Sequence, residues 1–596
     1  MRRERMCAGT LRSMLATVVA ALALVVAACG DSGGGAGSSS SSATATGAAN
    51  QETGQGKQGG VLRQLGSSDV DYLDPGHTYY TAGYQVAYVT QRPLYSFKPG
   101  QIDPVPDLAA GPPEISSDLK TITVKIKPGV KFSPPVDRAV TSKDVKYAFE
   151  RFFSVNVGGQ YPSYFSAIEG APSAPTKGVK SISGITTPDD QTIVLRLSAP
   201  QGVAVAAALV MPITAPVPEE YAKPFDAKSP STYNEHVVAT GPYMVKNDAK
   251  GNTVGYQAGK SIDLVRNPNW DKSTDYRPAF LDEIQLTTNE ADASIAAQQV
   301  LTGSHLVLDT DPPAAQLKDA VQNRKGQFVQ VPSGGYRWLP LNTTIKPLDN
   351  VNVRKAILAA FDREAVRRVR GGRFIGDVAT HFLPPGIPGF EEAGGLKGPG
   401  YDFLANPRGD MTLASEYMKK AGYPSGKYTG NDSLLLVTSN ADPGKSQAQV
   451  AKAQLEKLDL KVTLRTVPQD SMYTEWCQVP AKKVALCGDA GWFKDFLDPQ
   501  SMLEITFKGA NIVESGGNNN LPQLDDPKVD AAMDDASGLQ GKQRLAAWGN
   551  VDKMITGDAA AVPLVWDKTT LIWSKDVRGV ANEYYDTIDF AYTSLK

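Results

Sequence analysis

The chain opens with a cationic, apolar leader ending at Cys29 and then a small-residue stretch with no apolar cluster to bury. Together these constrain where the folded body begins and the compartment it occupies. Arg2, Arg3, Arg5 and Arg12 make a cationic start, an uncharged apolar stretch runs from Ser13 to Ala28, and Val26-Ala27-Ala28-Cys29-Gly30 closes it. The arginines hold the N-terminus on the cytoplasmic side while the apolar run enters the membrane. That run is short for a permanent span, which needs about 20 apolar residues. Small residues before Cys29 fit cleavage; the alternative is an uncleaved anchor with an incidental cysteine. Residues 30 to 58 are almost all Gly, Ser, Ala, Thr, Asn and Gln. Such a composition buries too little to offset chain entropy, so a flexible tether is expected over 29–58. Its formal G-x-G-x-x-G, Gly54 to Gly59, lacks the preceding strand and following helix that would cradle a pyrophosphate.

The leader's end resembles the lipobox of bacterial lipoproteins, which implies removal of residues 1–28 and lipidation of Cys29. Two acyl chains would suffice for stable anchoring. The business part then faces outward, at the cell membrane on its extracytoplasmic side. The remaining body of some five hundred residues is long for one core and should divide into more than one domain. A formal net charge of −2 and the lack of any basic block argue against a nucleic-acid partner and against electrostatic membrane adsorption. No later stretch is long enough to span a membrane. Of four cysteines, Cys7 lies in the leader and Cys29 carries the lipid, leaving Cys477 and Cys487. Outside the cytoplasm such a pair oxidises, closing a small loop worth about 3 kcal/mol. The four histidines, His77, His236, His305 and His381, are scattered and show no metal-ligand spacing.

Strand and helix signals alternate along the body. Ile122, Val124 and Ile126 alternate with polar residues before Pro128-Gly129, and Ile193, Leu195 and Leu197 repeat the pattern. Between them Thr141, with Asp144 three residues on, opens a helix carrying Val145, Ala148, Phe149 and Phe152 on one stripe. Further on, the apolar run Leu434 to Val437 predicts a strand covered on both faces. A helix with Ala448, Ala451, Leu455 and Leu458 on one side follows, then an alternating strand at Leu460, Val462 and Leu464. Strand, crossover helix and strand predict a βαβ unit and a parallel or mixed sheet. Asp362 and Gly371-Gly372 punctuate a helix pair around Val353 to Val369.

The order of these pieces resembles the extracytoplasmic solute-binding proteins of ABC importers, family 5, the oligopeptide, dipeptide and nickel class. The matching segments are Leu73-Asp74-Pro75, Arg92-Pro93-Leu94-Tyr95, Leu108-Ala109, Thr121 to Phe132, Thr141 to Arg151, Thr240-Gly241-Pro242-Tyr243, Arg266-Asn267-Pro268, Asn342 to Phe361, and Ala421-Gly422-Tyr423-Pro424. Departures occur at Pro134-Pro135, where a glycine-containing turn is usual, and at Ser304 to Val307. The resemblance implies an α/β two-lobe periplasmic-binding-protein fold, with mixed sheets, a subdomain inserted in lobe I, and a hinge between the lobes. Lobe I would comprise 59–99, 236–330 and 563–596, the insertion 100–235, and lobe II 331–562. It also implies a monomer that captures a small solute, foremost a short peptide, by hinge closure and delivers it to membrane permease subunits. No cofactor is implied. Glycans, opines or a metal chelate are the other cargoes, and a surface receptor or chaperone on the same fold is the remaining alternative. Bare nickel fits poorly, since nickel favours imidazole and no histidine pair is evident.

Gly491 to Pro499 resembles the "G-W-x-x-D-x-x-D/E-P" segment of peptide-binding members, in which the aspartate three after the tryptophan pairs with the ligand's α-ammonium. The role falls on Asp495, with Trp492 and Phe493 as walls and the Cys477–Cys487 loop just upstream. Two bland alternatives stand beside it: Asp495 caps the helix beginning near Asp498-Pro499, or it pairs with Lys494. Tyr79 and Tyr80, and Tyr336-Arg337-Trp338, are further cleft candidates, with Arg337 placed to take a ligand carboxylate. The alternative for these is packing between lobes or over an edge. Enzyme readings find little purchase. After residue 58 there is no G-x-S-x-G, and the chain has neither H-E-x-x-H nor a complete P-loop. The triplets at Gly259 and Gly444 lack the glycine six residues before the lysine.

Overall fold

The computed structural model describes residues 46–47 and 55–596, apart from 67–68, 180, 289–291, 310 and 515–516. The leader, Cys29 and most of the tether lie outside the described residues. At the tether's end, Lys57 forms a β-bridge to Leu595 and the carbonyl of Gln55 accepts from Arg578 Nη1 at 3.2 Å. No helix among the described residues is long and apolar enough to cross a membrane.

One sheet of the body is mixed. Strand β1 (Val61–Leu65) pairs in parallel on one side with Leu306–Leu308 and on the other with Glu283–Thr287, beyond which Ser261–Arg266 runs antiparallel. Leu62, Leu264, Ile284 and Leu286 turn inward and meet Val86 and Val89 of helix α1 (Thr81–Thr90), forming the first core. The next segment builds a separate antiparallel sheet. Its central strands, β2 (Thr121–Lys125) and Thr192–Arg196, pair Ile122 with Leu195 and Val124 with Ile193. Over them lies helix α2 (Ser142–Phe152), opened by a capping box. The Thr141 N–H donates to the Asp144 carboxylate at 2.8 Å, satisfying one of the N–H groups left over at a helix start. Val145, Phe149 and Phe152 of α2 enter this second core, whereas Ala148 enters the first. One helix thus ties the two cores together.

Strand β3 (Phe328–Pro340) is the structural spine of the molecule. It runs antiparallel to the last long strand, β7 (Ala561–Ile572), from Phe328↔Ile572 to Pro340↔Ala561. Val329, Val331 and Leu571 belong to the first core, whereas Leu339, Val562 and Leu564 belong to another, so both strands pass from one hydrophobic core to the next. The register shifts between Pro332 and Tyr336. There Gly334 takes φ +62°, and a Cβ on it would stand 2.7 Å from the Lys494 side chain. Such an irregularity bends a strand locally.

The second half contains the βαβ unit expected from the periodicity. Strand β4 (Ser433–Ser439) and strand β5 (Lys461–Val467) pair in parallel, Leu434 against Val462, and the helix Gly444–Glu456 crosses between them. Ala448, Ala451, Leu455 and Leu458 pack with Leu434 and Leu436. Cys487 pairs with Val437 in that sheet and is disulfide-bonded to Cys477, Cα–Cα 6.1 Å. The short strand β6 (Ala490–Phe493) leaves this region and adds to the edge of β3, Tyr336 opposite Trp492 and Gly335 opposite Phe493.

Candidate functional site

Asp495 lies two residues beyond β6, and three remote parts of the chain close over it. Its Oδ1 accepts from the Tyr79 hydroxyl at 2.6 Å, its Oδ2 accepts from the Tyr164 hydroxyl, and its backbone carbonyl accepts from the Tyr584 hydroxyl at 2.8 Å. The residue is buried, and no cation pairs with its carboxylate among the described residues. Burial pushes its pKa up to about 6 against the opposing pull of the two phenol donors. The phenols respond in kind: burial and the nearby Asp495 charge raise Tyr79 and Tyr164 well above the ordinary phenol range, so both remain donors.

Two structural tasks that compete for Asp495 belong to its neighbours. The helix Pro499–Phe507 is capped by Asp498, whose side chain accepts from the Gln500 N–H at 2.9 Å and pairs with Arg544 at 2.7 Å. Proline at the first helical position with an aspartate before it is a strong start signal, and it leaves Asp495 outside the helix. Lys494 points elsewhere, donating to the carbonyl of Ser333 at 2.6 Å and to Asp586 at 3.4 Å.

The other sequence candidates separate into two groups. Trp492 is buried, its indole N–H donating to the Ser501 carbonyl at 2.8 Å and its ring meeting Tyr161 edge-on at 5.9 Å. Tyr161 in turn lies 4.5 Å from Tyr79, so Trp492 and Tyr79 belong to one aromatic wall beside the carboxylate. Phe493 is half-buried under the Arg337 guanidinium at 5.0 Å. Tyr80 is 49 % exposed, with its N–H on Asp71 at 3.1 Å. Tyr336 and Trp338 point into the core, packing on Phe382. Arg337 points to the opposite face and donates to Asp567 at 2.5 Å. Successive residues of a strand face opposite sides, so the triplet cannot form one wall.

Sequence reasoning missed Tyr164, Tyr161, Tyr84 and Tyr584. Tyr161 and Tyr164 flank and close a single 3₁₀ turn, Pro162–Tyr164, with no periodicity around it. Tyr84 lies on α1, edge-on to Tyr79 at 5.9 Å, and its hydroxyl is buried without a hydrogen-bond partner among the described residues. Tyr584 sits in the turn between two short C-terminal strands. Tyr164 and Tyr584 bond Asp495 across 331 and 89 positions of sequence, and Tyr161 and Tyr84 approach it beside the Tyr79 ring. A buried carboxylate ringed by phenols can receive an ammonium: the anion supplies the countercharge, and the ring faces tolerate a cation. Among the described residues no arrangement of nucleophile, base and orienting group accompanies it.

Comparison with known proteins identifies the family and the fold. The model of the bacterial extracellular solute-binding proteins, family 5 Middle, matches residues 103–514. Oligopeptide-binding protein OppA of Bacillus subtilis is 25 % identical over 481 residues, covering 78 % of this chain and 80 % of that protein. Heme-binding protein A of Haemophilus influenzae is 27 % identical over 483 residues, covering 79 % of each chain. Among solved structures, clavulanic acid biosynthesis oligopeptide binding protein 2 superposes with a TM-score of 0.78 at 25 % identity, covering 91 % of this chain and 96 % of that one. The periplasmic binding protein DppA from Helicobacter pylori, in complex with the peptide STSA, superposes with a TM-score of 0.72 at 21 % identity, covering 90 % and 98 %. The fold is therefore the α/β two-lobe architecture of these binding proteins, and the protein is a transport binding protein rather than an enzyme. The chain belongs to the bacterial extracellular solute-binding proteins of family 5.

Proposed function

We propose that this protein is the lipid-anchored substrate-binding component of an ABC importer. In this reading it captures short peptides by their free α-amine in a cleft between two lobes and delivers them to a membrane permease. The observation that carries the reading is Asp495: a buried carboxylate with a raised pKa, held by Tyr79 and Tyr164 and lacking any cationic partner among the described residues. A carboxylate so placed is costly to ionise alone and favourable to ionise beside an ammonium.

In the lobe division expected above, Tyr79, Tyr164 and Tyr584 come from lobe I and its insertion, and Asp495 from lobe II. A ligand held at Asp495 would touch both halves, so its binding energy would be larger in the closed form, which is the condition for closure to report occupancy. The bend at Ser333-Gly334-Gly335, where β3 passes from core to core beside β7, is our candidate hinge. Cys29 would carry the lipid that keeps the protein near its permease.

The relatives bear names that include heme as well as peptides, so the fold alone does not choose the cargo; the amine-ready carboxylate favours peptides. Thermal melting of the full chain in detergent, with and without short peptides bearing a free α-amine, tests the assignment. A rise in melting temperature with peptide is expected. A melting temperature indifferent to every free-amine peptide would overturn the peptide cargo.

A further inference from the structure

A second charged cluster adjoins the Asp495 site, and its charges do not balance. Arg337 Nε donates to Asp567 Oδ2 at 2.5 Å, Lys494 Nζ to Asp586 Oδ2 at 3.4 Å, and the Thr570 N–H to Asp311 Oδ1 at 2.8 Å. The nearby Arg370 is already paired with Asp489 at 3.1 Å. Three carboxylates therefore face two available cations. The side chains are withdrawn from water: Asp567 is 9 % exposed and Lys494 5 %. Within this cluster Asp567 Oδ1 and Asp586 Oδ1 are both buried without a hydrogen-bond partner among the described residues. Buried carboxylate oxygens left unpaired are costly, and this cluster holds two of them. Burial raises the pKa of both Asp311 and Asp586, and the charges of Asp311 and Asp567 push Asp586 further the same way.

The cluster is also in the right place. Arg337 and Asp567 lie on β3 and β7 beside the bend, Lys494 precedes Asp495 directly, and Asp586 follows Tyr584 by two residues. Tyr584 stands between the two sites, its ring centroid 5.1 Å from Lys494 Nζ and its hydroxyl on the Asp495 carbonyl.

We propose that Asp567 and Asp586 form a second cation subsite in the same cleft, which takes the lysine or arginine side chain of a peptide whose α-ammonium is at Asp495. This rests on the peptide reading above and narrows it to peptides carrying a basic residue. A long flexible side chain ending in several N–H donors matches two separated acceptor oxygens. A metal ion matches them poorly, since no group of three or more candidate ligands is arranged to hold one among the described residues. Arg337 and Lys494 orient the two carboxylates through their other oxygens and offset part of their charge.

The test is calorimetric titration of the full chain in detergent with tripeptides carrying lysine, or its uncharged isostere norleucine, at the first, second or third position. At one position the lysine peptide should bind about tenfold or more tighter. Asp567→Asn and Asp586→Asn, which still accept from Arg337 and Lys494, should each shrink that ratio several-fold and leave norleucine-peptide affinity nearly unchanged. Equal binding of lysine and norleucine peptides by the unmodified chain at all three positions would overturn the subsite while leaving the peptide reading intact. So would a preference that survives both substitutions. Failure of every peptide to bind would overturn both readings together. The comparison within the unmodified chain decides the matter even if a variant folds poorly.

Discussion

The Tyr79 hydroxyl donates to the carboxylate of Asp495 at 2.6 Å across 416 positions of sequence. With Tyr164 on the other oxygen, the carboxylate has its hydrogen bonds satisfied but its charge uncompensated. That combination keeps the site folded when empty and leaves the electrostatic gain for a cationic ligand.

The first consequence is a pH dependence of binding. Burial holds the Asp495 pKa at about 6 in the free protein, and an ammonium pairs with the carboxylate form. Affinity for free-amine peptides should be greatest near pH 7, fall by up to tenfold per pH unit below about 6, and decline again above about pH 8 as the peptide α-amine loses its proton. Tyr164→Phe removes a donor that lowers this pKa, so the midpoint should move to higher pH. Binding titrations between pH 4.5 and 8 read both effects; a pH-independent affinity for amine ligands contradicts the placement.

The same shift affects stability, with a definite sign. A carboxyl whose pKa is raised from 3.8 to about 6 on folding binds more protons folded than unfolded within that window. Its contribution therefore falls as pH rises through it, by about 3 kcal/mol in total. Because Asp311 is also raised to about 6, the difference between unmodified chain and Asp495→Asn isolates the term. The two should converge at pH 4 and the Asn variant should be the more stable at pH 7, in denaturant unfolding without ligand. Superimposable profiles would show that Asp495 stays well solvated.

Linking Cys477 to Cys487, ten positions apart, constrains the loop immediately before the Gly491 to Pro499 segment. Replacing both with serine should cost about 2–3 kcal/mol by the chain-entropy argument, seen as a lower denaturation midpoint. Peptide affinity should drop as well, because β6 and Asp495 follow directly. A double serine variant with unchanged stability would show that the bond contributes little to this fold.

Lipidation is a separate claim. Cys29→Ser should abolish incorporation of radiolabelled fatty acid and shift the protein from the membrane pellet to the soluble fraction. Labelling that persists in the variant would place the lipid elsewhere.

Much of the architecture was legible in the sequence because it rests on local rules. The Thr141–Asp144 capping box, the alternating strands around Ile122 and Leu195, and the unit from Leu434 to Leu464 each follow from nearest-neighbour periodicity, and each forms as expected. The Asp498-Pro499 start was equally local, and it shows which aspartate caps the helix. The site was legible in the Trp492 to Asp495 segment and at Tyr79, the two places where a motif or an aromatic pair marks the sequence. Tyr164 and Tyr584 reach Asp495 from a 3₁₀ turn and a C-terminal turn, and no periodic signal marks a residue whose role is set by a distant partner. Strand alternation decides the Tyr336-Arg337-Trp338 triplet: the two aromatics are core, and Arg337 alone faces the charged cluster.

The most direct test pairs a change in the ligand with a change in the protein. Calorimetry would compare a short peptide with its N-acetylated form, on the unmodified chain and on Asp495→Ala. Acetylation should weaken binding to the unmodified chain by about 2–5 kcal/mol, roughly 30-fold or more, and should matter little once Asp495 is gone. If acetylated and free peptides bind the unmodified chain equally, or if the difference survives in Asp495→Ala, the carboxylate at Asp495 is not the amine site.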